Sequence, residues 1–161
     1  MKPFAASIVA PLLLFILTPA FAIEAPRIVP RMQEIQKPRD EVFAALRKYY
    51  TDASLSNFQL VNEDQRHGIL VAKLSGIGEE TWRKFAFCET GPVQMIYKLD
   101  DGTATVTVKL DKSTPHSTFA SVSADFQGTY SLGANQSQVA CTSKFALEDN
   151  ILAAAGAAPA K

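Results

Sequence analysis

The chain has 161 residues, 47% of them hydrophobic, with 16 Lys and Arg against 16 Asp and Glu. That size suits one domain with a single core. The even charge balance argues against a general nucleic-acid binder, which carries a basic excess.

The first segment is "MKPFAASIVAPLLLFILTPAFA". Lys2 gives a positive start, no charge follows from Ala5 to Leu17, and Thr18-Pro19 breaks the run. Ala20-Phe21-Ala22 then places small residues where a signal peptidase needs them. The pattern is that of a cleavable signal over 1–22, leaving a single domain over 23–161. The apolar run is short of the roughly 20 residues that span a bilayer. No later segment is long and apolar enough to cross, so no transmembrane segment is expected in the mature chain. The expected address is periplasmic or secreted. No cysteine near Ala22 offers an acceptor for a bacterial lipid anchor.

In "IEAPRIVPRMQEIQK", Pro26 and Pro30 confine any strand to a sheet edge. "PRDEVFAALRKYYTD" is the best helix. Pro38 suits its first turn, Asp40 and Glu41 its positive end, and Arg47 and Lys48 its negative end. Val42, Ala45, Leu46 and Tyr49 form its apolar face. The period then changes to two. "FQLVN" and "GILVAKLSG" read as antiparallel strands joined through "EDQRH". "TWRKFAFC" reads as a third strand, with Phe85 and Phe87 on one side.

"VQMIYKLDDGTATVTVKL" reads as a hairpin turning at Asp101-Gly102. Val93, Met95, Tyr97 and Leu99 alternate before it, and Ala104, Val106, Val108 and Leu110 after it. Thr103, Thr105, Thr107 and Lys109 point the other way, as in a sheet with one wet and one covered face. "KSTPHS" is a loop, "TFASVSADFQGTY" a long strand, "SLGAN" a turn and "QSQVACT" a last strand. Ser143 can cap a closing helix, "KFALEDNILAAA", which Gly156 stops before a frayed tail.

The layout predicts an α+β fold: an antiparallel sheet of about five to seven strands with an N-terminal and a C-terminal helix packed on one face. Cys88 and Cys141 are the only cysteines, and export to an oxidising compartment predicts that they form a disulfide. They lack the Cys-x-x-Cys spacing of a redox-active pair.

The helix "PRDEVFAALRKYYTD" with "FQLVNEDQRHGILVAKLSG" resembles a pattern of bacterial envelope proteins. There a helix leads into two strands carrying x-x-x-x-G-h-h-x-h, where h is apolar. BamC-type domains of the outer-membrane assembly machinery look broadly like this. "FASVSADFQGTYSLGANQSQVACTS" is similar to small secreted proteins and lipoproteins of proteobacteria. The first likeness covers about a quarter of the mature chain. It implies a helix-on-sheet binding fold and an envelope address, and it brings no catalytic or binding residue. The anchor cysteine of the lipoprotein members is missing here.

The search for chemistry returns little. Glu63, Asp64 and His67 supply three metal-ligand types in one loop, yet a charged cluster between strands is ordinary turn chemistry. Asp100 and Asp101 lack calcium-loop spacing. Ser121, His116 and Asp125 are the types of a nucleophilic triad, but no Gly-x-Ser-x-Gly elbow accompanies them. No cofactor is expected. Trp82, Phe85, Phe87, Tyr97 and Phe126 either line a ligand pocket or pack the core.

The function expected is an exported envelope protein with a non-catalytic binding or structural domain. Its partner would be an envelope protein or a small apolar ligand. The alternatives are a periplasmic carrier of such a ligand and a small hydrolase.

Overall fold

The computed structural model describes residues 28–52, 57–88, 98–132 and 134–158. The expected signal segment and the strand residues Val93–Tyr97 lie outside that set.

The elements follow in chain order: β1 (Arg31–Ile35), α1 (Arg39–Thr51), β2 (Phe58–Asp64), β3 (Ile69–Leu74), α2 (Glu79–Phe85), β4 (Ala86–Phe87), β5 (Lys98–Thr114), β6 (Ser117–Leu132), β7 (Asn135–Ser143) and α3 (Ala146–Ala154). The strands form one seven-stranded sheet in the order β2-β3-β5-β6-β7-β4, with β1 also paired to β6. Every pairing is antiparallel.

One face of the sheet is covered. Ala104, Val106, Val108 and Leu110 of β5 are buried, as are Ala120, Val122, Ala124 and Phe126 of β6. Val42, Phe43, Leu46 and Tyr50 of α1 and Leu147, Ile151 and Leu152 of α3 join them in one core. The strand pleat puts Thr105, Thr107 and Lys109 on the other face, where they are exposed. This is the α+β architecture expected, with a helix toward each end of the chain.

Four local expectations differ from the structure, the Ser143 cap of α3 among them. First, the buried stripe of α1 takes Phe43 and Tyr50 in place of Ala45 and Tyr49. The helix is rotated toward its larger side chains, which remove more apolar area from water.

Second, "TWRKFAFC" is mostly helix rather than strand. Glu79–Arg83 and Glu80–Lys84 form i,i+4 ion pairs at 2.6 and 3.1 Å, acids N-terminal to bases. The helix buries Trp82, and only Ala86 and Phe87 continue as strand.

Third, Asp101-Gly102 is no hairpin turn. β5 runs straight through it, with Gly102 opposite Gly128 and a register irregularity between Leu99 and Asp101. A side chain at 102 would overlap the Trp82 indole, so this glycine serves close packing instead of a turn. The reversal comes at Pro115-His116, where the Thr114 hydroxyl accepts the His116 N–H at 3.1 Å.

The termini of the last helix follow from the local chain. Gly156, at φ 94°, ends α3, and its N–H donates to the Ala153 carbonyl. Ser143 accepts the N–H of Phe145 at 2.8 Å, just ahead of the helix, and caps no N–H of α3 itself.

Candidate functional site

The site begins with an interruption in strand pairing. On one side β6 is paired to β5 along its length. On the other, β1 covers Thr118–Val122 and β7 covers Phe126–Leu132. Residues 123–125 face neither strand.

The sequence supplies both reasons. Pro30 precedes β1 and has no N–H with which to extend the ladder. At its far end β7 turns to β4, pairing Thr142 with Phe87 and Ser143 with Ala86. The Cys88–Cys141 disulfide fixes that departure, with the two Cα atoms 4.2 Å apart.

A cleft of about 470 Å³ fills the parting. Ala124, Asp125 and Gln127 of β6 form one wall, and Ala140–Ser143 of β7 the other. Ile28, Val29 and Phe145 close its rim. Both faces of the sheet contribute, so the cleft is an opening in the sheet edge. Ile28 and Val29 are about half exposed, at 51% and 52%. Asp125 is half-buried, and among the described residues its carboxylate makes no hydrogen bond or ion pair.

Phe145 is the one non-glycine residue with positive φ among the described residues, at 64°. A bulky side chain in the left-handed region is strained, and such strain persists only where the surroundings enforce it. Here the Ser143 hydroxyl holds the Phe145 N–H, and the Arg31 guanidinium lies 5.7 Å from the ring centroid. Arg31 is anchored by Asp149, with Nε 2.8 Å from Oδ1.

Behind this rim Glu148 is fully buried, and neither carboxylate oxygen has a hydrogen-bond partner among the described residues. Burial pushes its carboxyl above the ordinary value. The nearby Ser143 hydroxyl and Arg31 pull the other way, while Asp149 adds to the rise.

The aromatic set named from sequence is not gathered in one place. Trp82 and Phe126 are buried and meet edge-to-face at 5.5 Å. Phe85 is half-buried on α2, Phe87 is 49% exposed on β4, and Tyr97 lies outside the described residues. None of the four described members lines the cleft. The Trp82 Nε1–H points at Cys88 Sγ, 3.4 Å away, so this ring packs between core and disulfide.

The polar candidates are also dispersed. Asp64 holds His67 at 2.6 Å, and Glu63 is taken by Arg47 at 3.0 Å. The first is an exposed turn contact and the second an exposed bridge from α1 to β2. Ser121 and Asp125 lie four residues apart on one strand, about 13 Å at the usual strand rise and out of hydrogen-bond reach. His116 is exposed at the β5–β6 turn.

Sequence reasoning missed Ile28, Val29, Phe145 and Glu148. Pro30 was the one legible signal, because it marks where β1 must stop. No helix among the described residues is long and apolar enough to cross a membrane.

No protein-family model and no curated protein matches the sequence. A crystal structure of a DUF4468 family protein from Bacteroides ovatus is similar over 71% of this chain and 64% of that one, at 10% identity and a TM-score of 0.38. A likeness of that size carries no argument about fold or activity.

Proposed function

We propose that the protein is an exported, non-catalytic binding domain of the bacterial envelope, acting in the periplasm or outside the cell. The cleft between β6 and β7 is the observation that carries this reading. It joins apolar walls, a carboxylate unpaired among the described residues and two strand edges, the usual makings of a binding site. The Cys88–Cys141 disulfide supports the oxidising compartment, as does the signal-like start of the chain. The resemblance to BamC-type envelope domains points the same way.

Native mass spectrometry of protein purified from the periplasm tests the reading. A mature chain beginning at Ile23 is expected, short of two hydrogens until it is reduced. A chain retained in the cytoplasm with free thiols would overturn it.

Ile28, Val29 and Phe145 favour a second reading, a carrier of a small apolar ligand. Organic extraction of the purified protein should then release a bound molecule. Turnover in an ester, peptide and glycoside screen, lost on replacing His116 or His67, would instead establish a hydrolase.

A further inference from the structure

We infer that the cleft takes an extended peptide strand bearing a basic side chain, docked between the free edges of β6 and β7. The inference rests on the binding reading of this same cleft and names its ligand class.

Backbone geometry comes first. Residues 123–125 have β5 on one side and no strand on the other. Thr142 and Ser143 have β4 on one side and have already parted from β6. A wholly apolar ligand in the cleft would take water from these edges and offer no hydrogen bond in return, which is costly. An extended segment offers an N–H and a C=O at each residue. Three residues of strand edge span about 10 Å, room for three or four residues of a guest strand. Strand addition draws affinity from such main-chain bonds and specificity from alternate side chains.

Charge sets the side chain. Among the described residues Asp125 is the one ionisable side chain lining the cleft, and no cation pairs with it. Two described cations nearby are committed: Arg31 to Asp149, and Lys144 Nζ to the Arg83 carbonyl at 2.7 Å. A guest Lys or Arg completes the pair. Ile28, Val29 and Phe145 then meet its apolar neighbours.

The test titrates the mature chain with the blocked peptide Ac-Val-Lys-Val-Lys-Val-NH2 and follows the backbone amides by NMR. Saturable shifts are expected at Ala124, Asp125, Thr142 and Ser143. Asp125→Asn should weaken binding about two- to fivefold, the range of a half-exposed ion pair. Replacing Lys by Glu in the probe, or N-methylating its alternate amides, should weaken it more. Ala140→Tyr, at an exposed position on the wall, should block the cleft while the remaining spectrum shows an intact fold.

If the N-methylated probe binds equally well, or dodecylammonium shifts these amides and the peptide does not, the peptide inference falls and the binding reading survives. If neither probe moves these amides in the folded protein, both fall.

Discussion

Glu148 holds a carboxyl in the core, where burial outweighs the pull of the Ser143 hydroxyl and Arg31 beside it. Its proton is therefore retained to a higher pH in the folded chain than in the unfolded one. Such a group stabilises the fold fully below its unfolded value of about 4.5, and that stabilisation is lost as pH rises through the folded value. Urea stability should fall as pH climbs above that value, and Glu148→Gln should flatten the fall. An identical pH profile in the variant would refute the assignment. Asp64, held low by its His67 hydrogen bonds, titrates on the acid side of this window and does not mimic it.

Tyr50 poses a similar question without the charge. Its hydroxyl is buried with no partner among the described residues, and burial pushes its phenol up. Tyr50→Phe should leave stability unchanged or raise it by up to about 1 kcal/mol in urea denaturation, because an unsatisfied hydroxyl opposes folding. Gly102→Ala should cost about 1–3 kcal/mol in the same assay, the usual range for overpacking. The added methyl group meets the Trp82 ring. Neither position could be interpreted from sequence. Asp-Gly is a turn signal until an indole is found lying on the glycine.

Among the elements, α1 was legible because its Pro38 start, its terminal charges and its helical apolar period agree, although the buried stripe turns to Phe43 and Tyr50. α2 was not. Its seven residues are too few for a clear period, and Phe85 and Phe87 mimic strand alternation. Two ion pairs and the burial of Trp82 favour helix there. The short β4 depends on β7 and on the disulfide for its place. Removing the bond as Cys88→Ala with Cys141→Ala should lower urea stability by about 2–4 kcal/mol. Trp82, the single tryptophan, has its N–H on Cys88 Sγ, so its fluorescence should rise when the quenching disulfide is gone. Unchanged emission would place the indole elsewhere.

At the scale of the molecule, the long β5–β6 pair is the spine of the sheet. Hydrogen exchange should be slowest at Val106, Val108, Ala120 and Val122, which lie under the helices with strands on both sides. It should be faster along β2 and β1, which are paired on one side only. Equal protection across the sheet would mean that the edges are covered by something further. Those amides of 123–125 that point away from β5 should exchange faster than their strand neighbours in the free protein and slow when a guest strand binds.

The class of this fold is readable from the amino-acid pattern alone. Period-two alternation from 104 to 110 gave a sheet with one apolar face, the two clear helices supplied its cover, and two cysteines allowed one possible disulfide. Each of these is a local or compositional fact, so it survives reading one residue at a time. The cleft does not. It exists because β1 and β7 share one edge of β6 and stop short of each other, which is a matter of register between segments about a hundred residues apart. Phe145 and Glu148 acquire their strain and burial from that same packing. Sequence periodicity says which side of a strand is apolar, and only tertiary structure decides where two neighbouring strands part.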